Sequence, residues 1–436
     1  VKLAITLTFS ETLISQVPVV KIHSENLQKN GDLSLPTSLK SWQNHNIEKN
    51  YNAEVNEVES LLNYIGKDIK DFITESKNWR LQISNIILKI DRLHVFLDRR
   101  TTISQSLLNA DSNCRWVLAN IKNSTTNVIC DSFCEQSNDI TSLRVRYIRK
   151  AIENLYNTSA EGHKVVYITS RSSSKSPDGS HFILCGSVLN AKTGNKETSI
   201  CDNDFIQIRH NEMRLIAQHK YGVRASMDAK WKEFLAHLGN SAVIFELLQI
   251  KPCSPIKVNF ACSASGSSKG AAFVLYNCAR LESILKTYND KVEQGLYSAL
   301  PHIEDVDFSL LTDEDEWTLI FNYILGFPSL ISGCVTINEK QCDFRPHNIC
   351  NFLSSMVRVF SQYYRKIRIL TEPRKHLQPV MFARLYLLRA LNETLKTCLA
   401  IINIKNHSNS MCIRYENERK SYISPKHVKN TLKEKR

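Results

Sequence analysis

The chain lacks a long apolar run. Its opening, Val1-Lys-Leu-Ala-Ile-Thr-Leu-Thr-Phe9, is too short and too interrupted for a membrane-spanning helix, and no small-residue cleavage site follows it. That opening also has no methionine, so an incomplete start is expected. Walker loops, G-x-S-x-G, H-E-x-x-H and G-x-G-x-x-G are all missing, which removes the best-marked nucleotide, hydrolase, zinc and dinucleotide chemistries. There is no C-x-x-C pair, and the 13 histidines have no metal-ligand spacing, so neither a metal nor a cofactor is expected.

Thirteen cysteines without a dense framework fit an intracellular, cytoplasmic chain better than a secreted one, and most are expected to be small buried apolar groups. The sequon at Asn392 falls inside an expected helix, so it does not argue for secretion. With 42% hydrophobic and 23% charged residues, the 436-residue chain has the balance of a globular protein of two or three domains. Its excess is in positive charge. Fifty-six Lys and Arg against 43 Asp and Glu give a formal +13, which suits a polyanionic partner, RNA first, as well as it suits mere solubility.

Read along the chain, residues 1–110 form a mixed, partly irregular region. Val58, Leu61, Leu62, Ile65 and Ile69 space like one helix face, and Trp79 to Ile90 with Leu93 to Leu97 read as paired strands. Residues 111–255 hold an α/β region. A strand at Asn127 to Cys130, a helix at Leu143 to Tyr156 and a strand at Lys164 to Thr169 follow the βαβ grammar. The connecting loop Asp131 to Ser142 has no glycine and is a poor phosphate cradle. His181 to Val188 and Phe205 to Arg209 read as strands, and Lys230 to Leu238 and Val243 to Leu248 as a mixed continuation.

Residues 256–411 read as a helix bundle and 412–436 as a basic tail; from Ile401 onward nine Lys or Arg face three Glu. The first bundle helix runs from Ala271 to about Gln294 with Val274, Cys278, Leu281, Leu285 and Tyr288 on its apolar stripe. Asn277, Arg280, Glu282 and Lys286 fall off that stripe, toward solvent or a partner. The second starts with Thr312 as cap and stops at Gly326-Phe-Pro328, the third spans His347 to Leu370, and the fourth spans Val380 to Ile402. Arg365, Lys366 and Arg368 beside Tyr363, with Arg384 and Arg389 on the next helix, make a basic face. Cations neutralise phosphates and tyrosine rings stack bases, but a solvated face over core tyrosines has the same pattern.

The words of these helices carry a resemblance. Phe273-Val-Leu-Tyr-Asn-Cys-Ala-Arg-Leu-Glu-Ser-Ile-Leu285, Tyr363-Tyr-Arg-Lys-Ile-Arg-Ile-Leu370 and Ala383-Arg-Leu-Tyr-Leu-Leu-Arg-Ala-Leu391 resemble the DALR anticodon-binding bundle of arginyl-tRNA synthetases. Glu293-Gln-Gly-Leu-Tyr297, Asp315-Glu-Trp317 and Ile369-Leu-Thr-Glu-Pro373 bring the chain closer to the noncatalytic DALR anticodon-binding domain-containing proteins. The resemblance implies an α+β chain with a degenerate class I synthetase-like α/β region followed by an all-α DALR bundle. On that alignment the synthetases' H-x-G-H falls at Arg144-Val-Arg-Tyr147, with neither histidine kept and Arg146 in place of the glycine that admits ATP. It implies a tRNA adaptor that binds arginine tRNAs and partners a 3-methylcytidine methyltransferase acting in the anticodon loop, with neither membrane nor DNA as a partner. The RNA contacts it implies, together with the basic face, are Tyr276, Arg280, Tyr363, Arg365, Lys366, Arg368, Arg384 and Arg389. A residual synthetase-like enzyme and a protein-binding scaffold are the rival readings.

Overall fold

A computed structural model describes residues 19–42, 60–121, 127–158, 165–172, 179–221, 229–260, 268–337 and 342–405. The expected basic tail, 412–436, lies outside them. The chain forms two units, each assembled from three stretches: 1–116, 301–336 and 362–394 in the first, 117–300, 337–361 and 395–436 in the second.

The first unit opens with β1 (Lys21–Ile22), α1 (Leu27–Asn30), β2 (Leu33–Pro36), α2 (Leu61–Ile65), α3 (Ile69–Ser76), β3 (Ile83–Lys89) and β4 (Arg92–Leu97). The strands form an antiparallel sheet in the order β1-β2-β4-β3, so the expected pairing of the last two is present. Alternation puts Leu33, Leu35, Leu93 and Val95 on one face, where they bury against Trp42, Leu61 and Phe72. The single helix face expected over 58–69 is two helices. Gly66 ends the first in a left-handed conformation (φ 65°), and Asp68 begins the second with a reciprocal capping box to Asp71. A long helix follows, α4 (Arg99–Ile121).

The second unit holds the βαβ expected from its sequence. It contains β5 (Val128–Cys130), a short α5 (Ser132–Gln136) within the glycine-free loop, α6 (Ile140–Tyr156), β6 (Val166–Thr169) and β7 (His181–Leu184). These three strands are parallel and adjacent. A second parallel pair joins β8 (Val188–Asn190) to β9 (Ile256–Val258). Between them α7 (Asp202–Tyr221) replaces the strand expected at Phe205 to Arg209, and α8 (Ala229–Leu248) joins the two segments read as mixed. Phe205, Arg209, Glu212 and Met213 are all buried, a helical stripe. Two of its members are charged, so hydrophobic periodicity does not register it. Arg209 makes both of its hydrogen bonds to Glu246 on α8 at 2.8 and 3.0 Å, and one to Glu212 at 3.0 Å. In α9 (Ser268–Glu293) the stripe residues Val274, Cys278, Leu281 and Tyr288 are buried as expected. Asn277 is not at the surface: it is buried, and its amide donates to the Phe273 carbonyl at 2.8 Å.

The later helices are α10 (Glu314–Leu319), α11 (Phe327–Gly333), α12 (Pro346–Lys366) and α13 (Gln378–Ile401). Asp313, rather than Thr312, caps α10. A π-helical turn at Ile320–Leu325 continues it, burying Ile320, Phe321, Tyr323 and Ile324. Pro328 then sits in the first turn of α11, where its missing N–H is harmless, so it opens a helix instead of ending one. The third bundle helix ends at Lys366, four residues before the expected Leu370. Asn392 is buried in α13, which closes that sequon to glycosylation. No helix of the described residues is long and apolar enough to cross a membrane.

Asp32, at the start of β2, is buried and accepts hydrogen bonds from the Leu97 amide and the Trp317 indole, both at 2.8 Å. Burial pushes its carboxyl up to about 6 from an ordinary 3.8, so the folded state holds this proton more tightly than the unfolded chain. Stability from this group is therefore full below about pH 4 and lost as pH rises through 6. Urea unfolding of the first unit's signal should weaken by about 1 kcal/mol between pH 5 and 7 from Asp32 alone. The Asp32→Asn variant should lack that component, and an identical pH slope in the two proteins would refute the assignment.

Candidate nucleic-acid interface

Four acids in a row, Asp313-Glu-Asp-Glu316, open α10, where the helix dipole favours negative charge. Each has its own partner within the first unit. Asp313 caps the helix by accepting from the Asp315 amide at 2.8 Å. Glu314 pairs at 2.5 Å with Arg99, whose guanidinium lies 5.1 Å from the centre of the Trp317 ring. Asp315 holds Lys366 at 2.6 Å. Glu316, fully buried, accepts at one oxygen from the Tyr363 hydroxyl and from Arg384 Nε, each at 2.8 Å, and at the other from the Asp313 amide at 3.1 Å.

The eight residues expected at the RNA face are therefore of three kinds. Tyr363 is wholly buried, and burial beside Glu316 pushes its hydroxyl far above the ordinary range; its ring is part of the core and offers no stacking face. Arg384, 17% exposed, is turned onto the same carboxylate. Lys366 is exposed at 61% but ion-paired, and its hydrogen bond to Asp315 raises its pKa. Arg365, Arg368 and Arg389 are exposed, Arg368 donating only to the Leu370 carbonyl at 3.3 Å. In the second unit Tyr276 and Arg280 form a half-buried pair on α9. Arg280 Nη2 donates to the Tyr276 hydroxyl at 2.5 Å and the guanidinium lies 4.5 Å from the ring centre.

Beyond these, Arg374, Lys375 and His376 extend the exposed cationic stretch past the end of α12; Arg374 pairs with Glu372 at 2.8 Å. They stand directly after Pro373, Lys375 and His376 within a single 3-10 turn, so a search for basic α-helix faces passes over them; a plain count of local charge finds them.

The start of α6 has a different character. Arg144 is fully buried, and its guanidinium donates to five main-chain carbonyls: Gly186 and Ser254 at 2.7 Å, Lys251 at 3.1 Å, Leu247 at 3.2 Å and Ile250 at 3.3 Å. Arg146 donates to the Cys134 and Ser137 carbonyls at 2.9 and 2.7 Å and pairs with Asp202 at 2.7 Å. Both arginines thus tie loops together. Among the described residues no group of His, Cys, Asp or Glu is arranged to hold a metal ion.

Because Glu316 is without water, removing a donor leaves charge uncompensated. Tyr363→Phe is expected to lose about 2 kcal/mol of stability and Arg384→Ala about 3 kcal/mol, measured by urea unfolding. The two losses should be non-additive in the double variant, since both groups share one oxygen. Full additivity would show that they act separately.

Comparison with known proteins accords with these helices. Residues 274–409 match the DALR anticodon binding domain. The chain is 35% identical over 233 residues to mouse DALR anticodon-binding domain-containing protein 3, covering 53% of this chain and 43% of that protein. The zebrafish protein of the same name is 34% identical over 231 residues, 51% of this chain and 40% of that one. The arginine–tRNA ligase of Salinibacter ruber is 31% identical over 174 residues, 39% of this chain and 28% of the ligase. This chain thus spans less than half the length of the curated relatives it matches. Among solved structures, Thermus thermophilus arginyl-tRNA synthetase aligns at a TM-score of 0.41 and 17% identity, over 56% of this chain and 41% of that one. The Plasmodium falciparum enzyme aligns at 0.39 and 15%, over 78% and 51%. The chain is one of mixed helix and strand that carries a DALR anticodon binding domain over residues 274–409, and it is similar to the DALR anticodon-binding domain-containing protein 3 of vertebrates.

Proposed function

We propose that this chain is a noncatalytic tRNA-binding adaptor that recognises arginine tRNAs and presents them to a 3-methylcytidine methyltransferase. The observation that carries the tRNA part is the DALR anticodon binding domain at 274–409, in a chain that is also similar to arginine–tRNA ligases. The noncatalytic part is supported at the start of α6. A nucleotide needs unoccupied donors and open space, and the guanidiniums of Arg144 and Arg146 are committed to carbonyls and to Asp202. The chemistry left to the chain is recognition. Exposed Arg365, Arg368 and Arg389 neutralise phosphates, with Arg374 and Lys375 beside them. Tyr276 and Arg280 present a ring and a cation together, which suits an unpaired base. Tyr363 and Arg384 position this surface through Glu316 without touching RNA.

Binding of arginine and non-arginine tRNA transcripts across a salt series tests the reading. Arginine tRNAs should bind more tightly, and the Arg365→Ala, Arg368→Ala, Arg389→Ala triple variant should weaken binding roughly tenfold or more and lower the salt slope by about 2–3. Added to a 3-methylcytidine methyltransferase, the chain should raise methylation of arginine tRNAs alone. Equal binding to all tRNAs would reject the specificity, and arginine-dependent ATP–pyrophosphate exchange would reject the noncatalytic assignment.

A further inference from the structure

The face of the four-stranded sheet turned away from the core carries a second concentration of positive charge. Antiparallel register aligns Lys21 with Ser34 and Ser34 with His94, and places Lys89 opposite Arg92. Direct partners share a face, and so do residues two apart on a strand, so Lys21, His23, Lys89, Arg92 and His94 all emerge on this side. Ser34 lies buried at its centre. Arg92 Nε donates to the Ser34 hydroxyl at 2.9 Å and Arg92 Nη2 to the Ser34 carbonyl at 2.8 Å. His23 Nε2 is 3.0 Å from the same hydroxyl. That oxygen accepts from Arg92 and has a second lone pair and a proton to offer, so the tautomer of the His23 ring sets the direction of their hydrogen bond.

The His94 ring stacks on His23, centres 5.6 Å apart and 14° from parallel, with His94 Nδ1 2.5 Å from the Asn30 carbonyl. Lys89 reaches the Lys29 carbonyl at the same edge. Burial first, and then the basic side chains of His94, Lys21, Arg92 and Lys89, hold the His23 pKa below the ordinary range. The neighbouring carboxylates are engaged elsewhere: Glu25 and Asp91 are exposed in the flanking turns, and Asp32 is buried and accepts from the Trp317 indole and the Leu97 amide.

Charge of one sign has thus been collected around the His23 ring, whose protonation it disfavours. We propose that this face binds the phosphodiester backbone of RNA and that binding takes up a proton on His23. Lys21 on β1, Arg92 on β4 and Lys89 on β3 spread the charge across three strands of one face, an arrangement suited to an extended polyanion instead of a pocket for one phosphate. A phosphate laid along it offsets the charges that depress His23, and by linkage the proton and the RNA then bind each other's complex more tightly. The inference rests on the RNA-binding reading above and adds to it a separate surface and a pH dependence.

The test compares tRNA binding of the full chain with that of two variants, His23→Gln/His94→Gln and Lys21→Gln/Lys89→Gln, from pH 5.5 to 8. Folding of each is checked by circular dichroism. Wild-type affinity should rise several-fold from pH 8 to 6. Calorimetry in buffers of different ionisation enthalpy should show net proton uptake. The histidine variant should lose both effects while still binding at pH 8, and the lysine variant should bind more weakly with a salt slope lower by about 2. Identical pH profiles in wild type and histidine variant, or an unchanged salt slope in the lysine variant, would overturn the inference. If the Arg365/Arg368/Arg389 variant still loses binding in that case, the RNA reading stands without it. A wild type that binds no tRNA rejects both. Loss of a protein partner with tRNA binding intact would assign the face to protein and also overturn it.

Discussion

A carboxylate removed from water has to be surrounded by donors, and in the first unit that requirement falls on Glu316. One side chain draws in the Tyr363 hydroxyl, the Arg384 guanidinium and the amide of its own helix cap. The three acids before it take the cap hydrogen bond, Arg99 and Lys366 in turn. The turn is thus a sorting device: α4, α12 and α13 each contribute one or two donors, Arg99 and Lys366 to separate acids and Tyr363 and Arg384 to one oxygen of Glu316. The neighbouring Trp317 extends the arrangement to the sheet, because its indole reaches Asp32 while its ring underlies Arg99. Such a network specifies geometry as much as stability, since unpaired members are expensive and mismatched ones more so.

This has a bearing on how a basic chain is read. A formal +13 counts every arginine alike, yet Arg144, Arg146, Arg209 and Arg384 are turned inward to carbonyls and carboxylates. The charge left for a polyanion is that which stays exposed, and it lies at the end of α12, in the stretch after Pro373, at Arg389 and at Lys21 on the N-terminal sheet. Surplus charge becomes informative only after the internal pairs are subtracted.

The long helices and the βαβ were legible in the sequence because their buried positions are apolar and their periods clean. Val274, Cys278 and Leu281 on α9, and Ile349, Leu353, Met356 and Phe360 on α12, are buried where the spacing puts them. What escaped had polar residues in core positions. Phe205 to Arg209 read as strand because Arg209 and Glu212, charged yet buried, interrupt the apolar stripe of the helix, and Asn277 was assigned to solvent or a partner because its amide gives no sign that it bonds back to its own helix. Arginine and tyrosine were singled out for an RNA face, and the partner that turns Tyr363 and Arg384 inward is a glutamate 47 and 68 positions away, which no local pattern reports.

The five carbonyls gathered by Arg144 come from Gly186, from the last turn of α8 and from the segment that joins α8 to β9, and each would lose a donor if that side chain were shortened. A smaller residue there would not reopen a cavity; it would strand acceptors that the fold has arranged around a guanidinium. An open site at the start of α6 would need the main chain at 186 and 247–254 rebuilt as well as the arginine replaced, so this one side chain serves as the keystone of the loops around it.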